Sequence, residues 1–90
     1  MYEIKPSNRF KRDIKLAKKR GYKIDLVVDV IQKLANGEAL AENYRDHSLE
    51  GKYADFRECH ITPDWILIYQ ILEDELILFL SRTGTHSDLF

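Results

Sequence analysis

Five consecutive residues from Trp65 to Tyr69 are apolar, in a chain of 90 residues. A strand that faces water on one side alternates apolar and polar side chains, so this unbroken run indicates an interior strand covered on both faces. Strand-like patterns flank the run and predict a meander of three strands over residues 53–60, 65–71 and 75–82. The C-terminal half is therefore expected to form a sheet.

The N-terminal half carries a helical pattern instead. Phe10, Ile14 and Ala17 recur at helical spacing, which predicts an amphipathic helix from about residue 8 to residue 20. A second helix is expected on an apolar stripe made of Leu26, Val27, Val30, Ile31 and Leu34. Ahead of both helices, residues 2–5 alternate apolar and polar side chains and predict a short first strand.

These elements predict an α+β fold in the order strand-helix-helix-strand-strand-strand. Two N-terminal helices are expected to pack on one face of a mostly antiparallel four-stranded sheet, with residues 1–90 forming a single domain. Residues 38–52 have weak periodicity and are expected to form a loop that contains His47. The sheet face opposite the helices is expected to be free for a ligand.

Charge is distributed unevenly along the chain, although its net value is only −1. Nine Lys and Arg residues stand against three Asp and Glu residues within 1–25. A cationic lobe attracts a phosphate backbone or an acidic partner, and a solvated helix face gives the same pattern. No apolar run is long enough for a membrane span or a signal peptide, and Cys59 is the only cysteine, so we expect a cytoplasmic protein without disulfides.

Chemically versatile side chains are concentrated between residue 47 and the C-terminus. Metal-free RNA cleavage needs a base for the 2′-hydroxyl, an acid for the leaving 5′-oxygen and a cation for the phosphorane. Imidazole and guanidinium groups meet these needs, since histidine titrates near neutrality. The candidate catalytic residues are His47, His60, Asp64, Arg82 and His86.

The predicted meander would bring several of these residues to one edge of the sheet. His60 ends one predicted strand, Asp64 precedes the next, and Arg82 ends the third. His86 can fold over the group through Gly84. Each residue also has a local structural explanation, such as a hydrogen-bonded histidine, a turn aspartate or an arginine at a sheet edge.

A metal site is not expected from the sequence. The three histidines include no short-spaced pair, and adjacent Cys59 and His60 would point to opposite faces of a strand. No glycine-rich phosphate loop is present either, so we expect no metal and no cofactor.

Three blocks carry a resemblance to a known family: DHSLEG at 46–51, FRECHITPDWILIY at 56–69 and RTGTHSDLF at 82–90. With these blocks the chain resembles the YafQ branch of the RelE-like toxins. The resemblance implies a RelE-like fold and a toxin of a type II toxin–antitoxin pair. It further implies a ribosome-dependent endoribonuclease that enters the decoding site and cuts translated mRNA. A cognate antitoxin would inhibit the enzyme. The toxin would bind operator DNA only as part of the complex with its antitoxin.

The resemblance also implies roles for individual residues. His86 is expected to be the general acid, His60 with Asp64 to deprotonate the 2′-hydroxyl, Arg82 to hold the phosphate and His47 to orient it, although acid and base could be exchanged. The expected substrate-binding residues are Trp65, Phe90, Lys11, Lys15 and Lys18. Considered by its local sequence alone, Trp65 in an apolar strand is more often a core residue. The pI of the chain is only about 6.3, and the three lysines are expected to compensate for this by contacting ribosomal RNA.

A second hypothesis from another class stays open. The chain could be a non-catalytic binding module that acts as an antitoxin partner and transcriptional co-repressor. Such a protein would have no need of Asp64 and His86. Growth after expression without an antitoxin discriminates the two hypotheses.

Overall fold

The structure, a computed structural model, describes residues 1–90. Its strands are β1 (Glu3–Pro6), β2 (His47–Ser48), β3 (Arg57–Thr62), β4 (Trp65–Leu72) and β5 (Ile77–Gly84). Its α-helices are α1 (Asn8–Lys19), α2 (Ile24–Ala35) and α3 (His86–Leu89), and short 3₁₀ turns lie at Glu42–Tyr44, Gly51–Tyr53 and Glu73–Glu75. None of the helices has the length and apolar character needed to cross a bilayer.

One sheet contains all five strands, in the order β1-β5-β4-β3-β2. The pairs β2–β3, β3–β4 and β4–β5 are antiparallel, whereas β1 runs parallel to β5. The predicted α+β class and its two N-terminal helices are confirmed. The predicted four-stranded sheet is wrong in detail, because two residues of the expected loop, His47 and Ser48, pair with β3 as a fifth strand.

Helix α1 begins where the sequence predicts, and its cap ties it to the sheet. The Ser7 hydroxyl oxygen accepts the Phe10 N–H at 2.9 Å, and the same hydroxyl donates to the Ser81 carbonyl at 2.7 Å. The helix buries Phe10 and Ala17. Its cationic residues Lys11, Lys15 and Lys18 are exposed.

The core lies between the helices and one face of the sheet. Its buried residues include Val27, Val30, Ile31 and Leu34 of α2 and Cys59, Trp65, Leu67, Tyr69, Leu78 and Leu80 of the central strands. Ile66 and Ile68 alternate with these core residues along β4 and therefore lie on the other face, yet both are buried. The interior character predicted for residues 65–69 is confirmed, and the second face is not open along the middle of β4.

A register shift separates the two ends of β5. Tyr69 pairs with Leu80 while Ile68 pairs with Arg82, so Ser81 is an extra residue in the ladder. A bulge of this kind bends the strand and re-aims the following side chain. The bulge therefore determines the direction of Arg82, at a point where the sequence shows only a continuous strand pattern.

Candidate active site

Strand β2 places His47 beside a buried carboxylate. His47 is the register partner of Glu58 on β3, and its Nε2 lies 3.0 Å from Glu58 Oε2. The Nδ1 of the same ring lies 2.7 Å from the Arg45 carbonyl oxygen. Both nitrogens of His47 therefore face oxygen acceptors, which fixes the orientation of the ring.

Glu58 is the residue that sequence reasoning missed. It is only 4% exposed, and its Oε1 has no hydrogen-bond partner. His86 Nε2 lies 3.5 Å from this oxygen, so the carboxylate sits between two imidazoles. A buried carboxylate oxygen without a full set of partners costs folding free energy, and such costs are typical of functional sites.

His60 joins the same group from β3. It lies two residues after Glu58, so both side chains belong to one face of the strand. The His60 and His86 ring centroids are 5.9 Å apart, and the His86 and Phe90 centroids are 5.7 Å apart. We call His47, Glu58, His60, His86 and Phe90 the histidine cluster.

A network behind the cluster holds the turn that precedes β2. The Asp46 carboxylate accepts from Arg57 Nε and Nη2, both at 3.3 Å, and also from the Tyr69 hydroxyl. Arg57 Nη1 donates to Ser48 Oγ at 2.9 Å. Hydrogen bonding to Asp46 raises the pKa of Arg57. Burial, together with the hydrogen bond to Asp46, raises the pKa of Tyr69. His47, between Asp46 and Ser48, is thereby anchored on both sides.

An open groove of about 610 Å³ adjoins the cluster at Phe90. Arg9, Lys52 and Arg82 bring cations to its lining, and Tyr53 packs edge-on against Phe90 at 6.0 Å between centroids. Cations together with aromatic rings are the combination that binds single-stranded nucleic acid. Of the predicted substrate-binding residues, Phe90 lies in this groove, while exposed Lys11, Lys15 and Lys18 are not among the residues that line it.

The structure directs Arg82 toward α1 rather than toward the histidines. Its Nε and Nη2 donate to the two Asp13 carboxylate oxygens at 2.8 and 3.2 Å, which raises the pKa of Arg82. None of its hydrogen bonds goes to the histidine cluster. Arg82 approaches the cluster through the shared groove, where it lies with Phe90.

Asp64 and Trp65 are placed apart from the cluster. Asp64 is exposed in the turn between β3 and β4, and the His60 ring nitrogen Nδ1 lies 3.2 Å from the Pro63 carbonyl oxygen. Trp65 is buried and packs on Tyr22 with 5.0 Å between ring centroids. Asp64 and Trp65 line a different cavity of about 350 Å³, together with Tyr22, Lys23, Leu26 and Thr62.

The meander thus assembles part of the predicted site. It brings together His47, His60, His86 and Phe90, and it adds Glu58. No group of three His, Cys, Asp or Glu side chains is arranged to hold a metal ion. The cluster can hold and exchange protons, and the groove beside it can receive a phosphate chain.

Comparison with known proteins identifies the family of the chain. The family model described as "Bacterial toxin of type II toxin-antitoxin system, YafQ" matches residues 2–90. The mRNA interferase toxin YafQ of Escherichia coli strain K12 is 40% identical over 89 residues, which are 98% of this chain and 95% of that protein. A putative toxin YafQ of Haemophilus influenzae is 38% identical and covers 97% of this chain and 95% of its own length.

Solved structures extend the likeness to the fold. A metal-bound toxin from Helicobacter pylori superposes with a TM-score of 0.94 and 46% identity over the whole of both chains. YafQ from E. coli strain BL21(DE3) gives a TM-score of 0.92 and 37% identity, covering all of this chain and 99% of that one. The DinJ–YafQ complex of E. coli gives a TM-score of 0.90 and 38% identity over the same shares of each chain. On its sequence and its fold, the chain belongs to the YafQ family of bacterial toxins from type II toxin–antitoxin systems.

Proposed function

We propose that this toxin is a ribosome-dependent endoribonuclease that cleaves translated mRNA and so inhibits translation. The observation that carries the proposal is the histidine cluster, in which His47 and His86 flank one buried carboxylate and His60 lies beside His86. The E. coli relative is named an mRNA interferase. Its name and the cluster point to the same reaction class.

The proposed reaction is an attack of the 2′-hydroxyl on the neighbouring phosphate. His60 takes the 2′-hydroxyl proton, a bond forms between that oxygen and phosphorus, and the bond to the 5′-oxygen breaks. His86 gives its proton to the leaving 5′-oxygen, which leaves a cyclic phosphate and a free hydroxyl. His47 is proposed to orient the scissile phosphate, giving up one of its two ring contacts, to Glu58 or to the Arg45 carbonyl, when RNA binds. The chemistry needs no metal, because imidazoles perform both proton transfers.

Arg82 is proposed to stabilise the charge that builds on the phosphorane. Asp13 engages its Nε and Nη2, so Nη1 remains for a phosphate oxygen in the adjoining groove. A guanidinium group placed where negative charge develops stabilises the transition state electrostatically. Phe90 and Tyr53 would stack against a base, a contact worth about 1–3 kcal/mol per base.

Asp64 and Trp65 belong to the proposal in a different way. Both line the cavity next to α2, and no hydrogen bond joins either of them to the histidine cluster. Asp64 is proposed to assist His60 in deprotonating the 2′-hydroxyl from the adjoining turn, and buried Trp65 is proposed to support that turn from the core. The proposed partners are the ribosome and its mRNA, and a cognate antitoxin by analogy with the E. coli DinJ–YafQ complex. Operator DNA would be reached through that antitoxin, and the toxin would act in the cytoplasm.

Two single variants test the assignment of residues. We expect His86→Ala and Arg82→Ala to abolish growth arrest and mRNA cleavage, because each removes a group that acts on the transition state. Lys33→Ala is the matched control, since Lys33 lies on α2 and pairs only with Asp29 and the Tyr44 ring. Circular dichroism melting shows whether each variant folds. Full cleavage by both site variants would refute the assignment, and a wild type that binds antitoxin without arresting growth would favour the non-catalytic binding module.

The exposed lysines of α1 are proposed to contact ribosomal RNA. Reversing Lys11, Lys15 and Lys18 to glutamate should weaken ribosome binding and flatten its dependence on salt, since each lost phosphate contact lowers the salt slope by about 1. Changing the same three residues to arginine keeps the charge and serves as the control. Ribosome co-sedimentation over a range of salt concentrations measures both effects, and unchanged binding by the glutamate variant would refute this part of the proposal.

A further inference from the structure

Two ion pairs connect α1 to the segment that carries His86. Asp13 receives two hydrogen bonds from Arg82, at 2.8 and 3.2 Å. Arg20, at the end of the helix, donates two hydrogen bonds to Asp88, at 2.7 and 3.3 Å. Both pairs are bidentate, the geometry in which arginine and a carboxylate bind most strongly and with most directional specificity.

The spacing of the helix residues matches the segment they hold. Asp13 and Arg20 are seven positions apart, so they lie on nearly the same face of α1, about 10 Å apart along its axis. Their partners Arg82 and Asp88 stand at the two ends of residues 82–88. All four charged side chains line one cavity of about 150 Å³ between the helix and this segment.

Each carboxylate also fixes the backbone of the segment. Asp13 accepts the Thr83 N–H at 3.1 Å, in addition to Arg82. Asp88 accepts the Thr85 N–H at 3.0 Å, while the Thr85 hydroxyl oxygen accepts the Asp88 N–H at 3.2 Å, which forms a capping box. The two ion pairs therefore hold the strand end and the start of α3 in addition to the side chains.

His86 has little support of its own. It is the first residue of α3, a helix of four residues, and its side chain is 59% exposed. A single helical turn is unstable unless other groups hold it. The only neighbours shown for the ring are Glu58, at 3.5 Å, and the rings of His60 and Phe90, with centroids 5.9 and 5.7 Å away.

We infer that Asp13 and Arg20 are positioning residues, through which α1 sets the location of His86 and Arg82 in the candidate active site. This inference rests on the proposed function, in which His86 protonates the leaving oxygen. Proton transfer requires hydrogen-bond distance, and a displacement of about 1 Å can lower a rate by about 10²-fold. The helix contributes in this way although it contains no residue of the histidine cluster.

Four variants test the inference by cleavage rate. Arg20→Ala removes the cation of the Arg20–Asp88 pair. Asp88→Asn removes the negative charge of the same pair but keeps an oxygen that can accept the Thr85 N–H. Asp13→Asn removes the negative charge of the Asp13–Arg82 pair and keeps an oxygen for the Thr83 N–H. We expect each to lower the maximal rate by roughly 10- to 100-fold with a smaller change in KM. The double variant Arg20→Ala/Asp88→Asn should be no slower than the slower single variant, because both changes break one interaction. Lys33→Ala, which breaks the surface pair with Asp29, should cleave at the wild-type rate.

A second readout does not depend on activity. The His86 ring proton resonances, assigned by comparison with His86→Ala, should shift in Arg20→Ala and Asp88→Asn and stay unchanged in Lys33→Ala. Unchanged His86 resonances, or maximal rates within two-fold of wild type in all the α1 variants, would overturn the inference. If the wild type itself does not cleave mRNA, the proposed function fails, and the ring resonances alone decide whether α1 positions His86.

Discussion

Glu58 combines almost complete burial with incomplete hydrogen bonding. Its Oε2 faces His47 at 3.0 Å, while its Oε1 has only His86 Nε2 nearby, at 3.5 Å. Leaving a buried acceptor unsatisfied costs about 1–3 kcal/mol, more when it is charged. A carboxylate kept under these conditions is better explained by its effect on the two imidazoles than by a contribution to folding.

A conservative change separates these two roles. Glu58→Gln keeps the shape but removes the charge between His47 and His86, so we expect cleavage to fall by about 10-fold or more. The free energy of unfolding should change by no more than about 1 kcal/mol, because an amide is cheaper to bury than a carboxylate. Glu75→Gln, at an exposed turn, is the control for cleavage and for urea unfolding. Wild-type cleavage by Glu58→Gln would show that the carboxylate has no part in the reaction.

The secondary-structure elements with a clear period were predictable from the sequence. Helices α1 and α2 follow their apolar stripes, and β3, β4 and β5 follow their apolar runs, with ends displaced by a few residues. Strand β2 was not predictable, because two residues leave no periodic pattern and are specified by pairing with β3. The four residues of α3 are too few to show a helical period, although Thr85 and Asp88 have the spacing of a capping box.

The stability of the fold should fall in acid because Asp88, which caps helix α3, becomes protonated. Hydrogen bonds from Arg20 first, and then from Thr85, hold the pKa of Asp88 well below its ordinary value of 3.8. A carboxyl group with a lowered pKa stabilises the fold fully above its unfolded pKa, and this contribution is lost as pH falls toward the folded value. The loss is therefore expected below about pH 4.

Urea unfolding measured from pH 7 to pH 3 checks this expectation. The wild type should lose stability more steeply below about pH 4 than Asp88→Asn, which has no proton to bind at that position. The control is Asp74→Asn, at an exposed turn. Parallel curves for the wild type and Asp88→Asn would contradict the assigned role of the Arg20–Asp88 pair.

On the scale of the whole molecule, the sequence indicated the histidines more reliably than their partners. Antiparallel strands necessarily bring the start of β4 and the end of β5 to one edge, so the grouping of His60 with His86 followed from topology. The direction of Arg82 depends on a bulge at Ser81 and on Asp13, which is 69 residues away in sequence. No local pattern encodes such a contact.

Glu58 was not predictable as a site residue for a related reason. A glutamate in a strand usually marks the solvent face, whereas this one lies against His47 of β2 and His86 of α3. Its position two residues before His60, on the same strand face, was the one available signal. Two short elements, edge strand β2 and C-terminal helix α3, thus complete a cluster whose other members, Glu58 and His60, lie on β3.

Primer extension on an mRNA incubated with the purified toxin is the most direct test of the cleavage proposal. With ribosomes present, the account predicts new 5′ ends within the translated region, which persist in a chelator and disappear in His86→Ala. Without ribosomes, no such ends should form. Cuts that His86→Ala still makes, or an mRNA that stays intact on translating ribosomes, would contradict the account.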